Sequence, residues 1–320
     1  MAQSANVFDR ALVRRHRDRA AADFAAHDFL FREVAERLCD RLSDVTRTFA
    51  SALDLGCHAG TLSALVAARG GIETLVQCDL SPAMAAAADA TGRSAGESGQ
   101  KGPRVLTLAA DEEFLPFAPA SFDLVASCLS LHWVNDLPGA LVQIGRCLKP
   151  DGLFLAAMLG GGTLAELRTA WIEADLAEQG GAGVHVSPFA DVRDAGALLQ
   201  RAGFALPVVD SETLTVRYTD AHALMDDLRG MGEANAVSTR ARGFARRATL
   251  ARVDGAYRAL CAEDGAGDGR VPASFQVLYL TAWAPHESQP KALKPGSAAA
   301  RLADALGTAE HSAGDKARPR

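Results

Sequence analysis

From residue 50 onward, the chain alternates short apolar runs with Ala- and Leu-rich stretches that have helical character. We predict strands at residues 50–55, 73–78, 104–109, 122–128 and 153–158. Helices are predicted to begin near Gly60, Ser81 and Leu137. This alternation is typical of βαβ units. It restricts the domain to an α/β fold, with a mostly parallel sheet flanked by helices.

The segments on either side of this region extend the prediction. Residues 1–48 are predicted to form a helical cover, because apolar residues recur there at helical spacing within a charged stretch. After residue 160 we predict, in chain order, a helix at 163–178, a helix ending at 201, a strand at 206–216, helices at 221–228 and 241–261, and a strand at 274–283. The resulting seven-stranded domain spans residues 49–285, with a helical insertion at about 218–265. A Pro-, Gly- and Lys-rich tail at 286–320 is expected to be disordered.

The charge balance limits the kinds of partner. Among 320 residues, 22% are charged and the net charge is -6, which argues against binding nucleic acid by neutralising many phosphates. One basic cluster near the N-terminus departs from this average. Its members are Arg10, Arg14, Arg15, Arg17 and Arg19. We expect a solvated helix face there, with an acidic partner or lipid headgroups as the alternatives.

Cysteine usage and hydropathy bear on the compartment. The six cysteines lack a C-x-x-C pair and most lie in apolar runs, so we expect reduced core residues. Apolar runs are too short to cross a bilayer, and the N-terminus lacks the pattern of a signal peptide. We therefore predict no transmembrane segment and a reducing compartment, most simply the cytoplasm.

The first strand leads into the turn Leu-Asp-Leu-Gly-Cys-His-Ala-Gly at residues 53–60. Glycine lets the backbone approach a ligand closely, and the helix that begins near Gly60 supplies free N–H donors. Such a turn predicts a nucleotide-binding site. It does not by itself distinguish between cofactors, because dinucleotide dehydrogenases use a similar turn.

An acidic residue, Asp79, ends the second strand and is followed by Ser81 and Pro82, which are typical of a helix start. A carboxylate at this position can accept hydrogen bonds from both hydroxyls of a ribose. The alternative is a carboxylate at a helix N-terminus without a ligand. We favour the ribose role because of the glycine turn upstream.

Two further motifs follow in the same order. Residues 110–117, Ala-Asp-Glu-Glu-Phe-Leu-Pro-Phe, come directly after the third strand, and Leu-Ser-Leu-His-Trp at 129–133 follows the fourth. Together with the turn and Asp79, they resemble a class I S-adenosylmethionine-dependent methyltransferase across roughly residues 50–159. The resemblance implies a Rossmann-like fold with S-adenosyl-L-methionine as the cofactor, and Asp111 as the acceptor of a hydrogen bond from the adenine amino group.

Motifs outside that core narrow the resemblance. Asn-Val-Phe-Asp-Arg at 6–10, the run 227–233 and His-Glu-Ser-Gln at 286–289 are similar to the mitochondrial complex I assembly factor 5 family. The element Gly-Thr-Leu-Ala-Glu-Leu at 162–167 resembles malonyl-acyl carrier protein O-methyltransferase. The first family is implicated in hydroxylating an arginine of a complex I subunit. A complex I subunit is therefore one candidate partner, beside a small-molecule or carrier-bound substrate. The resemblance also implies a cytoplasmic location in a bacterium, or the matrix side of mitochondria in a eukaryote.

The resemblance implies a set of cofactor-binding residues along these motifs. They are Asp54, Gly56, His58, Gly60, Asp79, Leu80, Asp111, Glu112 and Ser127. Family members usually carry glycine where His58 stands. We therefore expect its side chain to crowd the methionine part of the cofactor or to shift the position in which the cofactor binds.

Residues that contact the acceptor are expected beyond the fourth strand and in the helical segments. His132 and Trp133 are the candidate catalytic residues, since the carboxyl ends of strands form the site in this fold. Arg168 and Arg229 are candidates for substrate recognition, with ordinary surface arginines as the alternative. We predict no metal, because the eight histidines show no spacing typical of an iron site, and we assign Trp171 and Phe189 to the core.

These inferences leave three functions open. The first is an S-adenosylmethionine-dependent methyltransferase acting on a small-molecule, carrier-bound or protein acceptor. The second is an S-adenosylmethionine-binding arginine hydroxylase or assembly factor for respiratory complex I. The third is a protein that binds the cofactor and supports assembly without catalysis.

Overall fold

The computed structural model describes residues 6–96, 102–243, 245–262, 269–290 and 301–309. Two compact units are distinguished, Met1–Pro285 and His286–Arg320. The first contains one seven-stranded sheet. Its strands are β1 (Ser51–Leu55), β2 (Thr74–Asp79), β3 (Arg104–Ala109), β4 (Phe122–Cys128), β5 (Leu148–Leu159), β6 (Ala205–Tyr218) and β7 (Val271–Trp283).

The strand order is β3-β2-β1-β4-β5-β7-β6. Strands β1 to β5 are parallel to their neighbours, whereas β7 is antiparallel to both β5 and β6. The strand order reverses between β1 and β4, and a crevice forms there at the carboxyl ends of the strands. The segments that follow β1, β2, β3 and β4 therefore meet along one edge of the sheet.

Helices lie on both faces of this sheet. They are α1 (Arg10–Ala20), α2 (Phe29–Ser43), α3 (Thr61–Ala68), α4 (Pro82–Gly96), α5 (Leu137–Cys147), α6 (Ala165–Gln179), α7 (Val192–Arg201), α8 (Ala221–Gly230) and α9 (Arg247–Ala262). The predicted α/β class, with seven mostly parallel strands flanked by helices, is confirmed. No helix among the described residues is both long and apolar enough to cross a membrane.

Two apolar cores result from the alternation of side chains along the strands. Ala52 and Leu124 belong to the core beneath α2, whereas Leu53 and Val125 belong to the core beneath α5. Successive residues of a strand point to opposite faces, so a sheet buried on both sides is apolar at consecutive positions. This accounts for the continuous apolar runs in the sequence.

Some predicted boundaries differ from the observed ones. Strand β5 begins at Leu148 rather than 153, because the turn residues Pro150 and Asp151 lie inside a paired strand. Helix α9 begins at Arg247 rather than 241. In the second unit, where a disordered tail was predicted, the described residues include the short helix α10 (Leu302–Leu306). Its Ala- and Leu-rich sequence favours a helix, and Gly307 ends it at a φ of 64°.

Candidate active site

The turn after β1 has the conformation expected of a nucleotide-binding loop. Gly56 and Gly60 have φ angles of 72° and 87°, and Gly60 precedes the first residue of α3. The N–H groups of Gly56 and Cys57 both donate to the carbonyl of Cys78, at 2.8 and 2.9 Å, which ties the turn to β2. The void that this turn lines, together with Asp54, holds only about 10 Å³.

His58 lies inside this turn with a φ of 46° and is 3% exposed. Its ring stacks on Phe24 at 5.8 Å between centroids and meets Phe31 edge-on at 4.6 Å. The Nε2 atom lies 3.2 Å from the carbonyl of Leu129. Burial, and then the nearby Arg17, lower the pKa of His58 to about 4, so the ring is neutral at physiological pH.

The end of β1 carries a buried acid. Asp54 accepts a hydrogen bond from the Ser63 hydroxyl at 2.8 Å, and burial raises its pKa to about 7. Ser127, predicted to bind the cofactor, donates to the carbonyl of Leu55 at 2.7 Å and so ties β4 to β1. Both side chains are buried.

Asp79, at the end of β2, is completely buried. Its carboxylate accepts hydrogen bonds from the backbone N–H groups of His58 at 3.1 Å and Ser81 at 2.8 Å. Its two oxygens also lie 3.3 and 3.2 Å from Nη1 of Arg17. The position predicted for ribose recognition is therefore occupied by a guanidinium group from α1.

The same guanidinium links β2 to the segment after β3. Arg17 Nη1 lies 3.0 Å from Oε1 of Glu112, and Nη2 donates to the Ser130 hydroxyl at 2.9 Å. That hydroxyl donates to Glu112 Oε1 at 2.6 Å. Burial alone would raise the pKa of Glu112, but Arg10, Arg17 and the Ser130 hydroxyl hold it well below its ordinary value. Glu112 is therefore ionised and paired.

Arg10 lies two helical turns before Arg17 on α1 and also pairs with acids that follow β3. Its Nη2 lies 2.5 Å from Asp111 and also donates to Glu112, and its Nη1 donates to the Trp133 carbonyl at 3.3 Å. The expectation of a solvated basic face is therefore wrong for Arg10 and Arg17. Two of the arginines face acids of the same chain, because residues seven apart lie on one side of a helix.

These contacts decide whether the cofactor fits beside the turn in this conformation. A Cβ built on Gly56 would lie 2.0 Å from the Ser130 hydroxyl oxygen, so that side chain fills the space above the glycine. Arg17 covers both Asp79 and Glu112, each 0% exposed. The predicted cofactor-binding residues come together, but S-adenosylmethionine does not fit there while α1 holds this position.

His132 and Trp133 lie in a short 3₁₀ helix after β4 and both contact one acid, Glu233. The Nε2 atom of His132 lies 2.9 Å from Oε2 of Glu233, and the Trp133 indole N–H donates to the same oxygen at 2.9 Å. The backbone N–H of Leu159 donates to Nδ1 of His132 at 3.4 Å. We therefore assign the imidazole proton to Nε2, directed at Glu233.

Glu233 is buried, and its second oxygen, Oε1, has no hydrogen-bond partner among the described residues. Burial alone would raise the pKa of Glu233, but His132, followed by the charge of Arg17, lowers it. The group is therefore an ionised carboxylate with one unsatisfied oxygen. Buried oxygens of this kind normally have a partner.

Glu233 lines a cavity of about 310 Å³, within the size range of small-ligand sites. The rest of the lining is mainly apolar and aromatic. It includes Leu159, Leu164, Trp171, His185, Phe189, Met225 and Phe275. Trp171 and Phe189, which the sequence assigned to the core, therefore also form the wall of this cavity.

The two arginines predicted to recognise substrate lie in different places. Arg168 donates to the carbonyls of Gly161 and Thr163 at 3.4 and 3.2 Å, and it is not part of the cavity lining. Arg229 lines the cavity at its rim, where its side chain is 71% exposed and pairs with Asp226. Leu80 packs against the cluster that contains Trp133.

Four residues of this arrangement were missed from the sequence: Arg10, Arg17, Ser130 and Glu233. The signal for the arginines was their seven-residue spacing. Glu233 follows Gly232, which has a φ of 79° and lies close to Arg17. A Cβ built on Gly232 would be 3.4 Å from the Arg17 Cα.

Elsewhere, Asp220, His222 and Asp254 bring three potential ligand atoms within 4.8 Å of one another. Asp220 caps α8 and Asp254 pairs with Arg258.

The comparisons with known proteins agree with this fold. A family model described as a methyltransferase domain matches residues 53–156. The solved structure of YcgJ from Bacillus subtilis, 15% identical, superposes with a TM-score of 0.54 over 78% of this chain and 99% of that one. Fold, strand order and domain match define a class I methyltransferase domain.

Two curated relatives extend over nearly the whole chain. Mitochondrial arginine-hydroxylase NDUFAF5 of Danio rerio is 42% identical over 94% of this chain and 90% of its own length. Malonyl-[acyl-carrier protein] O-methyltransferase of Methylovorus sp. (strain MP688) is 39% identical over 89% of this chain and 92% of its own. The chain belongs to the methyltransferase-domain family that contains these two kinds of enzyme, and the resemblance seen in the sequence is confirmed.

Proposed function

We propose that this enzyme modifies an arginine side chain of a protein, and that the guanidinium group binds to Glu233. The observation that carries the proposal is the buried carboxylate with an unpartnered oxygen in the wall of the 310 Å³ cavity. A guanidinium supplies several N–H donors in one plane and pairs well with a carboxylate. An arginine would satisfy Oε1 without disturbing the contacts to Oε2.

The apolar walls fit the rest of an arginine side chain. Trp171 and Phe189 line the cavity, and guanidinium groups stack favourably on aromatic rings. The three methylene groups of arginine would lie against Leu159 and Phe275. The cavity thus combines an apolar passage with one buried negative charge.

A carboxylate acceptor, such as a malonyl group, fits the same cavity less well. Its negative charge would meet the ionised Glu233 in a buried place, where repulsion is weakly screened. The nearby cations are already engaged, since Arg229 pairs with Asp226 and Arg240 lies 3.9 Å from Asp9. The charge of the cavity therefore favours a cation.

Two reactions at that arginine are consistent with the names of the family and its relatives. Methyl transfer is the activity after which the domain family is named, whereas relatives 35 to 42% identical are named arginine-hydroxylases. We propose S-adenosylmethionine as the cofactor on the basis of the family. His132 and Trp133 then act as positioning residues, because they hold Glu233 rather than contact the cavity directly.

The experiment uses cells from which the gene for this protein has been deleted. Wild-type protein, Glu233→Gln or Glu173→Gln is restored, and the arginines of respiratory complex I subunits are examined by mass spectrometry. Glu173 is exposed on α6 and serves as the matched control. We expect one arginine to be modified with wild type and control, and its modified fraction to fall about tenfold or more with Glu233→Gln.

The mass of the modification distinguishes the reactions, since methyl transfer adds a methylene group and hydroxylation adds one oxygen atom. An arginine modified equally by Glu233→Gln and wild type would refute the assignment of Glu233. Methylation of a malonyl-carrier protein by the purified wild type, with no arginine changed in cells, would show that the acceptor is a carboxylate instead. Normal assembly without any modification would support the non-catalytic alternative.

A further inference from the structure

Helix α1 brings two cations to three acids at the carboxyl edge of the sheet. Arg17 is 0% exposed and pairs with Asp79 and Glu112, and Arg10 pairs with Asp111 and Glu112. These acids follow β2 and β3, where the cofactor of this fold class is expected. The occupant of that place in this structure is part of the chain itself.

The contacts of these acids explain why α1 can hold this position and why a ligand can take it over. Buried carboxylates are stable only when paired, so the acids need partners as long as they are shielded from water. In the arrangement expected from the family, the ribose hydroxyls of S-adenosylmethionine donate to Asp79 and its adenine amino group donates to Asp111. The cofactor therefore supplies hydrogen-bond donors in place of those that α1 contributes.

The contacts of α1 show what must break when it moves. Asp18 accepts a hydrogen bond from the Ser81 hydroxyl at 2.5 Å, which ties α1 to the start of α4. Before α1, Phe8 pairs with Val237 in an isolated bridge, and the Asp9 N–H donates to the Ala236 carbonyl at 2.8 Å. These bonds anchor the N-terminal end of the helix to the segment that follows Glu233.

We propose that α1 is a self-inhibitory helix, in which Arg17 occupies the cofactor pocket and S-adenosylmethionine enters only when α1 moves away. The inference rests on the cofactor proposed from the family and does not depend on the arginine acceptor. Arg17 lies directly against the segment that carries Glu233, since a Cβ built on Gly232 would be 3.4 Å from the Arg17 Cα. Movement of α1 therefore also changes the packing behind the acceptor carboxylate.

The test measures binding of S-adenosylmethionine to the full-length protein by titration calorimetry. Arg17→Gln weakens the closed state, so more of the protein is competent to bind, and we expect its dissociation constant to fall about tenfold or more. Arg15→Gln, on the exposed side of the same helix, is the matched control and should bind as wild type does. Circular dichroism checks that each variant is folded.

Hydrogen exchange of the wild-type protein provides a second measurement that needs no variant. Amides of residues 10–20 should exchange about tenfold faster or more with saturating S-adenosylmethionine than without it. Slower exchange with the cofactor would overturn the proposal, because α1 would then be part of the closed, loaded site. Equal affinity of Arg17→Gln and wild type, or absence of binding by both, would also overturn it. None of these outcomes bears on whether Glu233 binds an arginine.

Discussion

At the scale of single residues, the site is governed by buried charges whose partners come from distant parts of the chain. Glu233 is held by His132 and Trp133, about a hundred residues earlier. Arg17 meets Glu112 from 95 positions away. Each of these side chains would be costly to bury alone. Their types are therefore explained by the set of contacts and not by local sequence.

His58 makes a prediction about pH. Its pKa is about 4 in the folded protein, against an ordinary value of 6.5, so between these values the unfolded chain binds more protons. The free energy of unfolding should therefore fall by about 3 kcal/mol as the pH drops through this range. In His58→Asn, which tolerates the left-handed backbone, this contribution should be absent.

Urea unfolding of both proteins at several pH values measures the difference. Asp54, whose pKa is raised to about 7, changes stability in the opposite direction as the pH falls. Because Asp54 is present in both proteins, its effect cancels in the comparison. Parallel pH profiles would show that His58 is not a buried neutral imidazole.

At the scale of elements, α8 is fitted closely to the N-terminal segment. The His27 ring lies so near Gly230 that an added Cβ would be 2.2 Å from it, and the same ring contacts Asp227 at 2.5 Å. Asp227 also accepts a hydrogen bond from Tyr218 on β6 at 2.8 Å. Helix α8 thus connects the N-terminal cover, the sheet and the segment that carries Glu233.

This fit predicts opposite effects for two glycine substitutions. Gly230→Ala should lower the free energy of unfolding by about 2 kcal/mol, because the new methyl group has no room. Gly255→Ala, in α9 with no neighbour within 4 Å of an added Cβ, should raise it by about 0.5 to 1 kcal/mol, since alanine favours a helix. Urea denaturation of the two variants checks both signs, and a stabilising Gly230→Ala would mean that His27 lies elsewhere.

At the scale of the whole molecule, the cluster around Glu112 joins α1 to the ends of β2, β3 and β4. The pKa of Glu112 is held far below its ordinary value of 4.5. Ionised Glu112 therefore stabilises the folded protein above pH 4.5, and this contribution is lost as the pH falls below that value. Glu112→Gln should lose about 2 kcal/mol less than wild type between about pH 5 and about pH 3. At neutral pH, the same variant should be about 3 kcal/mol less stable, because Arg10 and Arg17 lose a partner.

Chemical unfolding at three pH values tests this prediction, with the exposed Glu36→Gln as the control. The control should follow the wild-type profile throughout. A Glu112→Gln profile that is steeper than that of wild type at low pH would mean that the carboxylate is not stabilised in the folded state.

The sequence by itself determined the α/β class, the order of the elements and the positions of the acids at the ends of β1 and β2 and after β3. These follow from hydrophobic periodicity and turn chemistry, which act over a few residues. The parallel arrangement follows from the helical crossovers between the strands. The glycine turn after β1 and the acid at the end of β2 were therefore predictable from the sequence.

Only the tertiary structure decided which charges meet. The spacing of Arg10 and Arg17 indicated a shared helix face, but not that this face lies on Asp79 and Glu112 instead of in water. Glu233 lies in a segment without clear periodicity, and its hydrogen bonds come from two side chains that follow β4, the middle strand of the sheet. Pairing between buried charges is set by how the elements dock, and docking depends on all the contacts of the fold at once.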